Sequence, residues 1–542
     1  MSILVIEGIS LAKLVSILTI AVLTVNRITN SVPIDNAVGA QQSRPELTPA
    51  RRWVILGVIV LSVTLYSTSI LIVAAVLPQL QGTMSATPDE ISWAMTFNIL
   101  ATAVATPLTG WLAGRFGRRN LLVASLAVFG IATYFCGAAN SLEALIFWRI
   151  VQGAGGAPLS PMGQTVVLDI FPKHQHGMVI GLYGVGVVMG AFVGPMIGGV
   201  MAETYTWRYA FYILVPVAIG AAVAVFFALP RMRRQVQIKL EWTGFILISL
   251  AIACLQLALS RGQRLDWFQS PEIVIEIFVA VVAFYMFVAH SLTHNKPFLD
   301  LRLLLNRNYA IGLVLVTIYG MLNFTPMVVL PGLMRQHMDL PDSLIGYVVG
   351  SRGIGAMAGF FVAGIVGQRF PRRTIIAGFF AQVAVGLWLM SANLNTTPFE
   401  FALNGVLQGF AGGVIWVPLT VLTFSTVDPK DLDETTSVYH LLRNIGSSFF
   451  ISMTVTEIVR SSQRNYEYLT EHITEFNPVL KLPWVMGGWE METVEGLARL
   501  SREMGHQAAL ISYLNGFGMF AVASAAAIPL ILFVSNVAKK KS

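Results

Sequence analysis

The feature that most constrains the fold is a series of apolar runs, each about twenty residues long, that recurs from residue 53 onward. An α-helix of about that length crosses the roughly 30 Å of hydrocarbon in a bilayer. The 542-residue chain is 55% hydrophobic and only 12% charged, whereas soluble proteins are about a quarter charged. A soluble globular fold is therefore excluded, and we expect an all-α membrane protein.

Fourteen such runs follow one another along the chain, and each is long enough to form a membrane-spanning helix. Segment 3–25 is also apolar, but Glu7 and Lys13 interrupt it. Three interpretations of that segment stay open: a fifteenth span, an interfacial helix, or residues before the true start site. The predicted spans have approximate cores at 53–77, 91–112, 121–138, 144–166, 177–201, 211–229, 242–259, 273–290, 310–332, 344–366, 374–391, 399–422, 435–458 and 508–535.

The connecting segments carry their Lys and Arg residues very unevenly. When the segments are assigned to alternate sides, one side holds 21 basic residues and the short loops of the other side hold 4. Short cytoplasmic loops retain positive charge during insertion. We therefore predict that both ends of the main body, residues 53–542, are cytoplasmic and that segment 459–507 is an extracytoplasmic loop. The net charge of +7 reflects this topology, so no nucleic-acid partner is expected.

Two short patterns occur twice in the chain. Segment 110–119 matches segment 364–373 at five of ten positions, with an offset of 254 residues. The pair Gln152 and Gly153 recurs 256 residues later as Gln408 and Gly409. Each displacement equals eight predicted helices, which indicates two six-helix halves separated by two inserted helices. Parallel halves of this kind place their substrate between them, near the middle of the membrane.

The duplication divides the chain into four predicted parts. An N-terminal segment precedes the first six-helix bundle, and the two inserted helices precede the second bundle. The second bundle carries the long extracytoplasmic loop. The predicted boundaries are 1–52, 53–230, 231–300 and 301–542.

Three motifs resemble those of the major facilitator superfamily, specifically its fourteen-helix branch of drug:proton antiporters, over about residues 53–540. The loop motif of the form G-x-L-A-D-R-x-G-R-R is matched by Gly110, Arg115, Gly117, Arg118 and Arg119. The fourth-helix motif R-x-x-Q-G-x-G is matched by Arg149, Gln152, Gly153 and Gly155. The end of the fifth-helix exporter motif is matched by Gly194, Pro195, Gly198 and Gly199.

The resemblance implies a fold of two six-helix bundles plus two inserted helices in a bacterial cytoplasmic membrane. It also implies export of small lipophilic or amphipathic compounds, with proton antiport and without a cofactor. Gram-negative members add a periplasmic membrane-fusion protein and an outer-membrane channel as candidate partners. The sequence has no G-x-x-x-x-G-K-[ST] phosphate-binding motif and no metal-ligand cluster, so neither ATP-driven transport nor a metal site is expected.

Two other functions remain possible for this sequence. One is import or facilitated diffusion of a metabolite, against which the helix-five exporter motif argues. The other is a transport-inactive membrane receptor or scaffold with the same fold. Transport by the reconstituted protein distinguishes all three.

The chain departs from the family pattern where acidic residues are usual. Gly114 and Gln368 replace the loop acid in the two halves, and Ser69 replaces the Asp of the first helix. The proton carrier is therefore unidentified, with Glu276 and Glu457 as weak candidates near the outer ends of their helices. Without the loop acid, we expect weaker closure of the cytoplasmic end. Asp169 is then the candidate anion for Arg115 or Arg118.

Several polar residues inside predicted spans are candidates for the substrate cavity. A charge in the bilayer costs at least about 2.5 to 3.5 kcal/mol, so buried cations need compensation. For Arg149 the alternative is a structural clamp, for Arg352 and Arg443 snorkelling to the interface, and for the hydroxyls bonding to their own helix. The predicted cavity residues are Tyr66, Ser69, Arg149, Gln152, Asn323, Phe324, Arg352 and Arg443.

Glycines recur every fourth residue in the fifth predicted span, at Gly186, Gly190, Gly194 and Gly198, with Pro195 among them. Such a stripe lets two helices meet at their backbones. Two interpretations remain: tight static packing, or a flexible seam between the two bundles.

Overall fold

The computed structural model describes residues 48–230, 240–294, 297–338, 340–393, 395–474, 476–478, 482 and 493–533, so segment 3–25 lies outside the described residues. Within these ranges the long elements are α-helices. The first nine are α1 Pro49–Met84, α2 Pro88–Ala105, α3 Leu108–Phe116, α4 Arg118–Ala138, α5 Leu142–Gly156, α6 Leu159–Ile170, α7 His176–Thr204, α8 Trp207–Tyr212 and α9 Leu214–Ala228. The others are α10 Trp242–Arg261, α11 Pro271–Thr293, α12 Arg307–His337, α13 Asp342–Arg369, α14 Pro371–Met390, α15 Pro398–Phe424, α16 Leu432–Glu471 and α17 Val494–Ile531.

Eleven helices in the described part of the chain are long and apolar enough to cross a membrane, or twelve if the bent pair α2 and α3 forms one span. Two of the fourteen predicted spans are not among these twelve. The span 144–166 is divided between α5 and α6, of 15 and 12 residues, and the span 435–458 lies in α16. The all-α membrane architecture is confirmed, and the number fourteen stays a prediction.

Proline lies at two of the helix breaks. Pro107 separates α2 from α3, which are bent by 59°, and Pro158 separates α5 from α6. Proline has no backbone N–H, and its ring clashes with the carbonyl of the preceding turn. These two breaks therefore coincide with a proline, although Pro195 lies inside the continuous helix α7.

Segment 459–507, predicted to be an extracytoplasmic loop, is helical at both of its ends, and its side of the membrane stays a prediction. Helix α16 continues to Glu471, and α17 already begins at Val494. The extended arms bond to each other, since Asn465 Nδ2 lies 3.1 Å from Ser512 Oγ and the hydroxyls of Tyr466 and Ser501 are 2.8 Å apart. Packing between the arms stabilises helix beyond the apolar run, which hydropathy alone does not reveal.

We call α1–α9 the N-terminal half and α12–α17 the C-terminal half. Helix α7 packs against α13, and α16 packs against α3 and α6, so these helices join the halves. Helix α10 contacts α2 of the N-terminal half and α16 of the C-terminal half. Large apolar side chains cover the outer surface, among them Phe227, Tyr285 and Phe361, each more than 70% exposed. Such a surface suits lipid.

The duplication is visible in the packing of both halves. A Cβ atom on Gly153 would lie 2.3 Å from the carbonyl oxygen of Asn98. A Cβ atom on Gly409 would lie 2.0 Å from the carbonyl oxygen of Arg352. These two contacts involve residues 254 and 256 positions apart in the sequence. The two halves therefore share a contact in which a glycine admits a neighbouring backbone.

Candidate substrate cavity

A cavity of about 210 Å³ lies between the halves. Apolar and aromatic side chains form most of its wall, as is usual for small-molecule sites. The N-terminal half contributes Tyr66, Met95, Ser160 and Phe192; the C-terminal half contributes Tyr319, Asn323, Phe324, Arg352, Arg443 and Asn444; and α10 contributes Gln256.

Arg352 and Arg443 are the charged residues of the cavity wall within the described residues. Arg352 donates to the backbone carbonyl of Asn323 and, at 3.1 Å, to its side-chain Oδ1. Arg443 donates to Asn444 Oδ1 at 3.2 Å and stands 5.5 Å from the ring centroid of Trp416. Each arginine is only 8% exposed, so neither snorkels to an interface. The wall is therefore positively charged.

Arg149 was predicted to line the cavity, but it does not belong to the described cavity wall. It is 1% exposed, donates to the carbonyl of Ala94 at 3.1 Å, and also bonds the side chain of Gln152. Gln152 in turn donates to Thr133 Oγ1 at 2.7 Å. The guanidinium turns into its own half because these acceptors satisfy it there. Arg149 thus bonds α2 and its own helix α5, as the structural-clamp alternative predicts.

The polar stretch of α1 is divided between the cavity and the helix interior. Tyr66 and Ser67 line the cavity. Thr68 donates to the carbonyl of Thr64 in its own helix at 2.8 Å, and Ser69 is 2% exposed, behind the described wall. Of the eight predicted cavity residues, Ser69, Arg149 and Gln152 are therefore not brought to the cavity.

The glycine stripe of α7 lies against α1 within the N-terminal half. Cβ atoms on Gly190, Gly194 and Gly198 would lie 2.3, 2.7 and 3.0 Å from backbone carbonyl oxygens of α1. Pro195 is accommodated inside the continuous helix α7. The stripe therefore packs closely inside the N-terminal half and does not lie between the two bundles.

At one end of the helices, a single arginine joins the halves. Arg118 Nη1 lies 2.7 Å from Asp169 Oδ2, and Arg118 Nε lies 2.9 Å from Asp433 Oδ1. Asp169 is in α6, whereas Asp433 is in the C-terminal half. We call these three residues the Arg118 cluster. It closes the end that the charge count predicts to be cytoplasmic.

The neighbouring motif residues fit this closed end. A Cβ atom on Gly110 would lie 3.2 Å from the backbone of Glu434 in α16, so glycine permits the close approach. Gly117 has φ 80°, a left-handed conformation that glycine adopts freely. Arg119 stands 4.2 Å from the ring centroid of Phe226, and Arg115 is partly exposed.

Closure of this end was expected to be weak without the loop acid, but the Arg118 cluster supplies a bond between the halves that does not need that acid. The strength of closure stays a prediction. Asp433 supplies a carboxylate from the other half, 315 positions away in the sequence. The sequence contained a signal, because Asp431, Asp433 and Glu434 precede the span 435–458 at the same predicted side as Arg118.

The two candidate proton carriers lie outside the described cavity wall. Glu276 pairs with Arg261 between the inserted helices α10 and α11. Glu457 is paired with Arg464 at 3.0 Å in α16, and 36% of its side chain is exposed. Neither pair joins the two halves.

Several known proteins are similar in sequence to this chain. A family model described as Major Facilitator Superfamily matches residues 58–322 and 312–456. The chain is 29% identical over 450 residues to the multidrug export protein EmrB of Escherichia coli K12, covering 82% of this chain and 88% of that protein. It is 27% identical over 405 residues to the fatty acid resistance protein FarB of Neisseria gonorrhoeae, covering 74% and 80%.

Solved structures share the fold. The human organic anion transporter MFSD10 aligns with a TM-score of 0.58 at 13% identity, covering 88% of this chain and 100% of that one. The proton:xylose symporter XylE aligns with a TM-score of 0.55 at 15% identity, covering 88% and 95%. These likenesses confirm the predicted fold class.

Proposed function

Because the chain belongs to the Major Facilitator Superfamily, we propose that it is a secondary exporter of lipophilic compounds that exchanges them for protons by alternating access. The similarity to proteins named for multidrug export and fatty acid resistance supports export rather than import. It also supports a multi-pass location in a bacterial inner membrane. A membrane-fusion protein and an outer-membrane channel remain candidate partners.

The observation that carries this proposal is the cavity wall, to which both halves contribute. A site between two parallel halves is exposed to alternate sides when the halves rock against each other. Here the Arg118 cluster joins the halves at one end. Opening that end therefore requires breaking the bond between Arg118 and Asp433.

The charges of the wall select the substrate class. Arg352 and Arg443 bring two guanidinium groups, and no carboxylate is present among the described lining residues. A cation would be repelled in this weakly polar site, since Coulomb energies rise as the dielectric constant falls. The preferred substrates are therefore lipophilic compounds that are neutral or anionic at their polar end.

Transport by proteoliposomes with an imposed pH gradient tests the proposal. Three fluorescent probes vary the charge: neutral phenylnaphthylamine, its sulfonate anilinonaphthalene sulfonate, and the cation ethidium. We expect gradient-driven accumulation of the first two, abolished by nigericin, and little accumulation of ethidium. Accumulation of none of them would contradict the proposed function, and a preference for ethidium would contradict the substrate class.

The variant Arg352→Gln provides a matched comparison within that assay. It should reduce transport of the sulfonate much more than transport of its neutral parent, because only the sulfonate needs the guanidinium charge. Equal losses for both probes would show that Arg352 shapes the cavity without selecting charge.

The orientation is a separate proposal, supported by the basic loops. Phe476, which is 88% exposed in the segment between α16 and α17, is the better labelling position because Asn465 bonds with α17. A membrane-impermeant maleimide should label Phe476→Cys in intact spheroplasts. The native Cys136 and Cys254 are buried and serve as the unlabelled background. Labelling only after permeabilisation would reverse the topology.

A further inference from the structure

A buried histidine lies between the two halves. His440 belongs to α16 of the C-terminal half and is 1% exposed. Its Nε2 lies 2.8 Å from Gln164 Oε1, and its Nδ1 lies 3.5 Å from Ser160 Oγ. Both partners belong to α6 of the N-terminal half. The imidazole thus contacts the opposite half through each of its nitrogens.

We propose that His440 is the proton-carrying residue of the exchange, an inference that rests on the proposed proton antiport. The position of the usual first-helix acid is Ser69, and the pairs of Glu276 and Glu457 lie away from the interface. Histidine is the side chain whose charge ordinarily changes near neutral pH. His440 also lies at the interface between the halves, so a change in its charge affects whether the halves separate there.

The contacts of His440 suit the neutral imidazole. Nε2–H can donate to the amide oxygen of Gln164, while Nδ1 accepts the hydroxyl proton of Ser160. Tyr183 donates its own hydroxyl proton to the Ser160 carbonyl at 2.8 Å, and its oxygen lies 3.1 Å from Ser160 Oγ. The Ser160 hydroxyl can therefore turn from the histidine to the tyrosine.

Ser160 also connects the histidine to the cavity, because it lines the wall. A proton delivered from cavity water to Ser160 Oγ forms a new O–H bond as the original hydroxyl proton moves to Nδ1. One proton is gained, the imidazole becomes imidazolium, and no other group changes charge. The hydroxyl can then accept from Nδ1–H and donate to Tyr183.

Protonation should open the closed end of the transporter. A buried imidazolium lacks the hydration that it has in water, and Arg443 adds a like charge one turn further along α16. The other titratable groups nearby are Tyr183 from α7 and Tyr439 from α16, while α6 offers Gln164 and Ser160, and α15 offers Trp416. Separating the halves hydrates the imidazolium and exposes it on the predicted cytoplasmic side.

Two carboxylates of α16, those of Asp433 and Glu434, also lie near this end, but both are bonded to groups other than His440. Asp433 is bonded to Arg118, and Glu434 accepts from the backbone N–H of Asp300 at 2.6 Å. Since these groups also titrate, a pH effect belongs to His440 only where it differs between the wild type and a His440 variant.

Proteoliposomes carrying wild type, His440→Gln or His174→Gln test the proposal with phenylnaphthylamine and anilinonaphthalene sulfonate. His174 is exposed at the same end and is the matched control. We expect His440→Gln to lose pH-gradient-driven accumulation and drug-induced proton flux, yet to keep counterflow exchange of the probes. His174→Gln should behave as wild type. Gradient-driven accumulation by His440→Gln at the wild-type level would overturn the proposal.

A second measurement decides the case in which His440→Gln loses counterflow as well. Spin labels on Lys173→Cys and Lys430→Cys, exposed residues of the two halves, report the separation at this end. In the otherwise wild-type protein, acidification should shift the distances to longer values, and His440→Gln should remove that shift. Distances independent of pH, or an unchanged shift in His440→Gln, would overturn the role of His440. Failure of the wild type to accumulate any probe would instead contradict the proposed function.

Discussion

The two halves use the same backbone contact with different side chains. In the N-terminal half, Gly153 lies on the backbone of Asn98, whose amide donates to the Arg149 carbonyl at 2.8 Å, and Arg149 turns into its own half. In the C-terminal half, Gly409 lies on the backbone of Arg352, whose guanidinium reaches the cavity. The duplication therefore preserved the helix contact, and the side chains diverged. As a result, both cavity charges come from the C-terminal half.

The largest expected effect comes from replacing the two glycines of the shared contact. Gly153→Val and Gly409→Val would each press a side chain against backbone that cannot rotate away. Overpacking costs about 1 to 3 kcal/mol even where side chains can adjust, so we expect neither variant to accumulate as folded protein. Membrane level and thermal melting in detergent measure this.

Gly57→Ala is the control for that experiment, because no atom lies within 4 Å of the added Cβ. It should melt at or slightly above the wild-type temperature, since alanine favours helix over glycine. Normal levels of both valine variants would show that the helices separate easily at this contact.

The two arginines should differ in what their loss affects. Arg149→Ala leaves the Ala94 carbonyl and the Gln152 side chain without a buried donor, which costs about 1 to 3 kcal/mol. We expect lower thermal stability in detergent and less protein in the membrane. Arg352→Ala should melt near the wild type, because cavity water can reach Asn323, but should bind anilinonaphthalene sulfonate about tenfold more weakly.

Thermal melting and a fluorescence titration with the sulfonate probe separate these effects. The comparison between the halves would be wrong if Arg149→Ala folded normally and lost binding. It would also be wrong if Arg352→Ala destabilised the protein as much as Arg149→Ala.

A smaller effect is expected at the closed end, where the repeated arginines differ. Arg118 bonds carboxylates of both halves, whereas the corresponding Arg372 has a buried Nε without a hydrogen-bond partner in the described residues. Losing charge-assisted bonds costs about 1 to 3 kcal/mol, so Arg118→Ala should shift the population toward an open end. Spin-label distances between Lys173→Cys and Lys430→Cys should lengthen for Arg118→Ala and stay unchanged for Arg372→Ala. Equal responses would indicate that Asp433 has another partner.

The sequence by itself determined the features that depend on local pattern. Apolar runs located the helices, and the repeated motifs indicated the two halves and the family. The breaks at Pro107 and Pro158 interrupt spans that were predicted to be continuous. Among the predicted cavity residues, Tyr66, Asn323, Phe324, Arg352 and Arg443 do line the cavity. These inferences succeed because helix formation and membrane burial act over one or two turns.

Only the tertiary structure decided which polar groups meet. Arg149 was drawn into its own half by acceptors on α2 and α5, and helices α16 and α17 extend because their arms pack together. Asp433 pairs with Arg118 and His440 with Gln164 across 315 and 276 positions of sequence. A pairing over that distance depends on how two bundles dock, and each bundle's own periodicity shows only which residues face inward, not which residue of the other half they meet.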